Sequence, residues 1–366
     1  MKKKWLAGIL SAVMVFSVTG CGGGGGDTAA SSDGAGGSGE LKMSYTTSET
    51  SVWRVACEEM AKAVEEGTDG RYTVSIYANE QLAGGAMDQG TQMILDGTVD
   101  LDLRSVTNYT LYDPALFAVV MPFMFSSNED VDARLLNGPA GDLVKERVEA
   151  LGVKVLGLAE NGFRSVTNSK REIRTPADLS GMKFRVPATA CWVDTFKLFG
   201  ADPTVMTFSE VFTALQQGAI DGQENPTDPI VSAKLYEVQS YLTKWNYAYD
   251  CLILTCSQKL WDSLSEEDKA VFEAAGEAAC KAEITASREA DEGNFKLMEE
   301  NGMTITELTD EEMQAHLATM PNGGQSALGS DWKAGDIMYA DLDGDGVITT
   351  GKNTLKDHGD LKKIGN

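Results

Sequence analysis

The stretch from Glu160 to Pro226 decides the fold class of this chain, and it contains three polar segments: Asn161-Gly162-Phe163-Arg164, Lys183-Phe184-Arg185-Val186-Pro187 and Asp221-Gly222-Gln223-Glu224-Asn225-Pro226. Each segment lies at the end of a predicted strand, and helices are predicted between them. Thr175-Pro176-Ala177-Asp178 is typical of a helix start, and Thr207-Phe208-Ser209-Glu210 predicts a capping box. Because open α/β sheets bind ligands at strand ends, the stretch predicts a strand–helix–strand unit with a ligand site.

These segments, in this order and at this spacing, resemble the second lobe of the solute-binding proteins of tripartite ATP-independent periplasmic (TRAP) transporters. The resemblance implies an α/β fold of two lobes, like that of periplasmic binding proteins, with a ligand cleft between them. It implies that lobe I contains residues 40–160 and 250–290, and that lobe II contains residues 161–249 and 291–320. It also implies a long helix backing both lobes, which fits the helical pattern from Ser265 to Asn301. A further helix is expected after Asn225, through Leu242.

The same resemblance assigns a ligand site. In this family the arginine of Arg-Val-Pro grips the ligand carboxylate, a role that falls here on Arg185. Arg164 and Asn225 would assist it, and Phe208 would form an aromatic wall. A planar guanidinium matches a carboxylate with two parallel hydrogen bonds, which agrees with this assignment. Without the resemblance, each arginine taken alone is more typical of a surface ion pair.

Further positions are candidates for contacts beyond the carboxylate: Thr46, Glu49, Arg104 and Ser105 in lobe I, and Trp192 in lobe II. Glutamate, serine and threonine can hydrogen-bond hydroxyl groups, which favours a sugar acid or a hydroxy acid. Arg104 has two alternatives. It could meet a second carboxylate, which would make the ligand a C4-dicarboxylate, or it could pair with one of the many nearby acids.

Composition limits the class of function. The 366 residues contain 31 Lys and Arg against 55 Asp and Glu, a formal charge of −24, which argues against nucleic-acid binding. The two histidines, His316 and His358, lie outside the well-patterned body, so a histidine triad or zinc site in the cleft is not expected. A secreted carbohydrate-active enzyme with two carboxylates remains an alternative.

The resemblance implies a binding protein that is not an enzyme and requires no cofactor. Its expected partners are a small organic acid and the membrane permease subunits of a TRAP transporter, and we expect a monomer. Coupling of the same fold to a sensor, in place of a permease, is a second alternative.

The amino terminus has the features of a secretory signal. Residues 1–20 contain a basic start and the apolar run from Trp5 to Val18, which predicts a signal peptide. Val18-Thr19-Gly20-Cys21 resembles a bacterial lipobox, in which Cys21 becomes lipidated; an ordinary signal peptide with an incidental cysteine is the alternative. Residues 21–39 are predicted to form the lipidated cysteine and a flexible Gly/Ser linker. The predicted location is extracytoplasmic, anchored by the lipid to the outer face of the cytoplasmic membrane.

Five cysteines follow Cys21 in the chain. This odd number, at spacings that match no metal motif, predicts buried free thiols.

The tail at 321–366 departs from the family pattern. Residues 341–349 resemble the first nine positions of an EF-hand calcium loop, with ligands from Asp341, Asp343 and Asp345 and from the Val347 carbonyl. Position twelve is Lys352, where a bidentate acid is expected. A weak Ca²⁺ site and an acidic, turn-rich tail both remain open.

Overall fold

Residues 37–320, which the computed structural model describes, contain two β-sheets with helices packed against them. The strands are β1 (Gly39–Tyr45), β2 (Tyr72–Tyr77), β3 (Leu101–Ser105), β4 (Val153–Phe163), β5 (Ser165–Asn168), β6 (Lys183–Val186), β7 (Asp202–Val205), β8 (Gly222–Asn225), β9 (Tyr241–Lys244), β10 (Tyr249–Ser257) and β11 (Thr304–Glu307). The α-helices are α1 (Trp53–Gly67), α2 (Met87–Leu95), α3 (Asn128–Val131), α4 (Pro139–Glu149), α5 (Ala190–Leu198), α6 (Phe208–Gln216), α7 (Thr227–Ser232), α8 (Gln258–Ser263), α9 (Glu266–Glu300) and α10 (Asp310–Thr319). Short 3-10 segments cover Gln81–Ala83, Val106–Leu111, Pro114–Val119, Pro176–Leu179 and Leu235–Glu237, and Asp132–Leu136 forms a π-helical turn.

Lobe I is built on a five-stranded sheet with the order β2-β1-β3-β10-β4. β1 is parallel to β2 and to β3, and β10 is antiparallel to β3 and β4. Helix α1 buries one face against this sheet, with apolar residues at helical spacing: Trp53, Ala56, Cys57, Met60 and Val64. Because β1 and β3 are parallel, the residues that follow them, Thr46 and Val106, lie at the same edge of the sheet.

Lobe II is built on a six-stranded sheet with the order β11-β9-β5-β8-β6-β7. β6 is parallel to β7 and β8, and β5 is antiparallel to β8. The strand predicted at Lys183–Val186 is β6. Its carboxyl end and that of β8 therefore present Arg185 and Asn225 at one edge of the sheet.

Helix α9 backs both lobes, as predicted. It begins after Ser265, whose Oγ accepts a hydrogen bond from the Asp268 backbone N–H at 3.1 Å. Its first half packs into the core of lobe I through Phe272 and Ala279, and Met298 near its end packs in the core of lobe II. A single 35-residue helix thus supports both sheets.

The strand segments cross between the sheets at two places. One crossing is at Phe163–Ser165, between β4 and β5. The other is the segment that connects the end of β9 at Lys244 to the start of β10 at Tyr249. The backbone N–H of Arg164 donates to the Ala248 carbonyl at 2.9 Å, so the two crossings are hydrogen-bonded to each other.

The helix expected from Asn225 through Leu242 is wrong. The chain forms the short α7 and the 3-10 segment at Leu235–Glu237 there, and residues 241–244 form β9. β9 pairs with both β5 and β11, so sheet pairing across the lobe determines its conformation more strongly than local pattern does.

The capping box predicted at Thr207 is also wrong, because Thr207 makes no side-chain cap to α6. Its hydroxyl donates instead to the Gly85 carbonyl at 2.9 Å, in the other lobe. His316 lies within the packed body and not outside it. It is buried in α10, with its ring edge-on to Trp245 at a centroid separation of 5.0 Å.

The five cysteines after Cys21 are buried free thiols where predicted: Cys57, Cys191, Cys251, Cys256 and Cys280. No helix within residues 37–320 is both long and apolar enough to cross a membrane. The signal peptide, Cys21 and the tail positions Asp341, Asp343, Asp345 and Val347 lie outside the described residues, so the anchor and the calcium loop stay predictions.

Two glycines in α9 allow a matched test of its packing. A Cβ added at Gly276 would lie 2.6 Å from Leu156 Cβ and 2.8 Å from the Leu156 carbonyl oxygen, whereas one at Gly293 would meet nothing within 4 Å. We expect Gly276→Ala to lower the free energy of unfolding by about 1–3 kcal/mol because α9 is forced away from β4. Gly293→Ala should raise it by about 0.5–1 kcal/mol through helix propensity alone. Urea denaturation measures both, and a gain in stability at Gly276 would contradict the close packing.

Candidate functional site

A cavity lies between the lobes, at the strand ends described above. Its empty volume is about 380 Å³, including space open to solvent. Lobe II contributes Arg185, Pro187, Phe208, Asn225 and Pro229 to its lining, and Arg164 lines it at the crossing. From lobe I the lining residues are Thr46, Thr47, Trp53, Met87, Ser105, Thr107, Asn108, Asn161 and Asp250. Asn161 falls in the range expected for lobe II, but it lies on β4, which belongs to the lobe I sheet.

Arg185, the predicted anchor, is a buried guanidinium without an acidic partner. Its side chain is 2 % exposed and makes no ion pair within 4.0 Å among the described residues. Its Nε donates to the Met206 carbonyl at 2.9 Å, Nη2 has no hydrogen-bond partner, and the Phe208 ring centroid is 5.8 Å from Cζ. Burial lowers the pKa of Arg185 to about 10, against a smaller opposing effect of Glu224. An anion in the cavity would supply the missing counter-charge.

Arg164 is placed differently, because its donors are largely occupied by the protein. Its Nε and Nη2 hydrogen-bond the Glu224 carboxylate, Nη1 donates to Asp250 Oδ2 at 2.7 Å, and Nη2 also donates to Asn225 Oδ1 at 2.9 Å. Burial by itself lowers the pKa of Arg164, but the carboxylates of Glu224 and Asp250 outweigh this effect and raise it. Of its five N–H groups, only the second one on Nη1 is left for a ligand.

Asn225 belongs to a chain of oriented amides in lobe II. Its Oδ1 accepts from Arg164, and its Nδ2 donates to Gln223 Oε1 at 2.6 Å. Gln223 Nε2 donates in turn to Thr167 Oγ1, whose hydroxyl donates to Gln239 Oε1, each at 3.0 Å. This chain fixes the amide orientation and leaves one Nδ2 proton of Asn225 available at the cavity.

Asp250 organises the lobe I side of the crossing. Its carboxylate accepts hydrogen bonds from Arg164, from Ser105 Oγ at 2.5 Å and from Asn161 Nδ2 at 2.7 Å. Burial raises the pKa of Asp250, and Arg164 opposes that shift. Ser105, a predicted contact, therefore lines the cavity with its hydroxyl already donating to Asp250.

Several residues that line the cavity have a buried polar atom with no hydrogen-bond partner in the described part of the chain. They are Thr47 Oγ1, Trp53 Nε1, Asn108 Nδ2 and Asn161 Oδ1, together with Arg185 Nη2. Sequence reasoning did not select the first four residues for the site, although Asn161 stands in the quoted Asn-Gly-x-Arg segment. Trp53 is the first residue of α1, and no motif in the sequence marks it as a site residue.

Of the remaining residues predicted to contact the ligand, Thr46 lines the cavity, whereas Glu49 and Trp192 do not. The Thr46 hydroxyl donates to Glu80 Oε1 at 2.9 Å. Glu49 is exposed in the turn before α1 and is not among the lining residues. Trp192 lies behind Arg164, with the guanidinium carbon 4.5 Å from the ring centroid, and its indole N–H donates to the Val120 carbonyl at 2.7 Å.

Arg104 does not line the cavity. It is fully buried in lobe I, where Nη2 donates to Asp102 Oδ1 at 2.6 Å and Nη1 lies 3.2 Å from Glu80 Oε1. Of the two alternatives for this residue, the structure shows the pairing with nearby acids. Its charge is compensated there by two carboxylates.

The lobes touch at both rims of the cavity. On one side Asp228 accepts hydrogen bonds from Ser51 Oγ at 2.5 Å and from the Val52 backbone N–H at 3.0 Å. On the other, the hydroxyls of Thr207 and Ser209 both donate to the Gly85 carbonyl at 2.9 Å. The described conformation therefore has the two lobes in direct contact around the site.

Comparison with known proteins identifies related binding proteins. The family model described as "Bacterial extracellular solute-binding protein, family 7" (DctP) matches residues 43–322. The 2,3-diketo-L-gulonate-binding periplasmic protein YiaO of Escherichia coli (strain K12) is 34% identical over 240 residues, which cover 65% of this chain and 72% of that protein.

Solved structures of TRAP periplasmic solute-binding proteins are also similar to this chain. A TRAP periplasmic solute-binding protein of Polaromonas sp. JS666 bound to D-erythronate is 34% identical with a TM-score of 0.73, over 76% of this chain and 91% of that one. A TRAP periplasmic solute-binding protein of Ralstonia eutropha H16 with bound (S)-2-acetolactate is also 34% identical, with a TM-score of 0.74, over 76% and 90%.

The two site arginines should differ in their effect on stability. Arg164→Met leaves Glu224 and Asp250 buried without a counter-charge, so we expect the free energy of unfolding at pH 7 to fall by about 3–5 kcal/mol. Arg185→Met removes a buried charge that has no carboxylate partner among the described residues, so the unfolding free energy should be equal to that of the parent or higher. Denaturant unfolding without added ligand compares the two variants.

The pH dependence of the unfolding free energy tests whether unpaired carboxylates cause the loss of stability in Arg164→Met. The folded-state pKa of Asp250 is already raised, and removing Arg164 raises it further. The deficit of Arg164→Met should therefore shrink as the pH falls, because protonation of Asp250 removes an uncompensated charge. Equal losses for both arginine variants, or a deficit independent of pH, would contradict the assigned pairing.

Proposed function

Because the chain belongs to family 7 of the bacterial extracellular solute-binding proteins, we propose that it captures an organic acid by its carboxylate and delivers it to a TRAP membrane permease. The chain is a solute-binding transport protein and not an enzyme. The observation that carries the proposal is the buried Arg185 guanidinium, which lines the interlobe cavity without an acidic partner. A ligand carboxylate would pair with it.

A sugar acid or a hydroxy acid is the proposed ligand class. D-erythronate and (S)-2-acetolactate, the ligands of the two solved relatives, both carry one carboxylate and at least one hydroxyl. The cavity of this chain offers a partner for each of these groups: a guanidinium on one side for the carboxylate, and neutral polar side chains on the other side for hydroxyls.

Delivery would depend on the state of the cleft. Ligand bound to Arg185 from lobe II and to the Thr47 side of lobe I would contact both lobes only when they are together. A ligand shifts such an equilibrium by its differential affinity for the two states. The proposed partner is the permease, which would receive the closed, loaded form, and we propose that the binding protein acts as a monomer.

The carboxylate anchor is tested by Arg185→Lys. Lysine keeps the charge but cannot make two parallel hydrogen bonds, so binding should weaken by about 2–4 kcal/mol. Calorimetry with a panel of organic acids measures the change. Arg174→Lys, at an exposed ion pair with Glu312 in lobe II, is the matched control and should bind as the parent does. Parent-like affinity of Arg185→Lys would show that Arg185 is not the anchor.

We also propose lipid anchoring at Cys21, which the lipobox-like Val18-Thr19-Gly20-Cys21 supports. Cys21→Ser should move the protein from the membrane fraction to the soluble fraction, because the lipid chains that hold it are no longer attached. Immunoblotting of fractionated cells tests this, with Cys57→Ser as a control that keeps the lipobox intact. Unchanged membrane association of Cys21→Ser would refute the anchor without bearing on ligand binding.

A further inference from the structure

We propose that lobe I carries a neutral subsite, formed by Thr47, Trp53, Asn108 and Asn161, that selects ligands with hydroxyl groups and rejects a second carboxylate. This inference rests on the proposed function, since it assumes that the acid's first carboxylate binds Arg185. It names four specificity-determining residues on the side of the cavity opposite that anchor.

The first observation is a concentration of unsatisfied polar atoms. Thr47 Oγ1, Trp53 Nε1, Asn108 Nδ2 and Asn161 Oδ1 are each buried, and each lacks a hydrogen-bond partner in the described residues. All four residues line the same cavity. Buried polar groups in folded proteins are nearly always hydrogen-bonded, so a group of orphans around one cavity indicates that a ligand completes them.

The second observation is the orientation of the Asn161 amide. Its Nδ2 donates to Asp250 Oδ2 at 2.7 Å, and Asp250 is held in turn by Arg164. A flipped amide would place Oδ1 against the Asp250 carboxylate, so the oxygen is the atom left without a partner. Asn161 Oδ1 thus requires a hydrogen-bond donor.

The four atoms together are complementary to ligand hydroxyl groups. Trp53 Nε1–H requires an acceptor and Asn161 Oδ1 requires a donor. The Thr47 hydroxyl can take either role, and so can the Asn108 amide, because no hydrogen bond within the described residues fixes its orientation. A ligand hydroxyl both donates and accepts. An ionised carboxylate only accepts, and would bring its oxygen against Asn161 Oδ1.

The charges around the cavity favour the same choice. Arg185 is the unpaired cation, and a first carboxylate compensates it. Arg164 is already paired with Glu224 and Asp250, and lobe I contributes no lysine, arginine or histidine to the lining among the described residues. A second carboxylate would be buried without a cationic partner, which is strongly unfavourable. A hydroxyl carries no such penalty.

A set of acids of equal chain length separates these effects. We would measure affinities of the full-length protein for butanoate, D-erythronate, succinate and tartrate, and for the six-carbon series hexanoate, L-gulonate, adipate and galactarate. In the series that fits the cavity, the polyhydroxy monocarboxylate should bind at least about 100-fold more tightly than its hydroxyl-free counterpart, as expected for two or more new hydrogen bonds. It should also bind more tightly than the dicarboxylate with the same chain.

Thr47→Val and Trp53→Phe test the residues. Thr47→Val exchanges only a hydroxyl without a protein partner for a methyl group, whereas Trp53→Phe removes the unpartnered indole N–H and also makes a buried ring smaller. Each should weaken hydroxy-acid binding about 5–20-fold and leave the affinity for hydroxyl-free acids unchanged. The melting temperature of ligand-free Thr47→Val should be unchanged or higher, which distinguishes a ligand contact from a structural role. Trp53→Phe should lower the melting temperature because it leaves a cavity in the lobe I core, so its evidence is a loss of affinity confined to the hydroxy acids. Trp261→Phe, on α8 and away from the cavity, is the matched control and should bind as the parent does.

The outcomes separate the two proposals. If acids bind through Arg185 but hydroxyls bring no gain, if dicarboxylates bind more tightly, or if both variants bind as the parent does, the subsite is wrong and the proposed function stands. If no acid of either series binds and Arg185→Lys has no effect on any acid tested, the proposed function is wrong and the subsite fails with it.

Discussion

The Arg164 guanidinium connects the two lobes, because Asp250 belongs to the sheet of lobe I and Glu224 to the sheet of lobe II. All three side chains are buried, so none of these charges can be left unpaired without a large cost. Arg164 also stands where the strand segments cross between the sheets, with its backbone bonded to Ala248 in the other crossing. This one interaction thereby fixes both the path of the chain between the lobes and the centre of the site.

The polar side chains of the site take their orientation from that ion-pair group. Asp250 holds Ser105 and Asn161 on the lobe I side, and Arg164 holds Asn225 on the lobe II side. Since two acids neutralise Arg164, Arg185 is left as the buried cation that still needs a counter-charge. The two arginines look equivalent as sequence motifs but differ physically: Arg164 positions its neighbours, and Arg185 is free to bind.

The sequence predicted the parts of this arrangement that depend on local signals. The strand carrying Arg185 and the long helical segment from Ser265 follow from caps and helical pattern, whereas the two-lobed fold and the placement of that helix behind both lobes follow from the family resemblance; all of these are confirmed. Pairing between distant segments could not be predicted. The partners of Arg104 come from β3 itself and from residue 80, and nothing in the sequence assigned them. The sequence could not predict that Trp53 and Thr47 line the cavity either, because only the packing of α1 and β1 beside lobe II brings them there.

The same pairings explain why a ligand would close this cleft. The hydrogen bonds at the rims, such as Ser51 to Asp228, replace bonds to water and contribute about 1 kcal/mol each. Against them, closing without ligand buries the Arg185 charge and the unsatisfied cavity atoms. In the proposed function, a ligand carboxylate at Arg185 would remove the larger of these penalties, which arises only when both lobes surround the guanidinium. The differential affinity that favours closure therefore resides in the groups that the empty, closed site leaves unpaired.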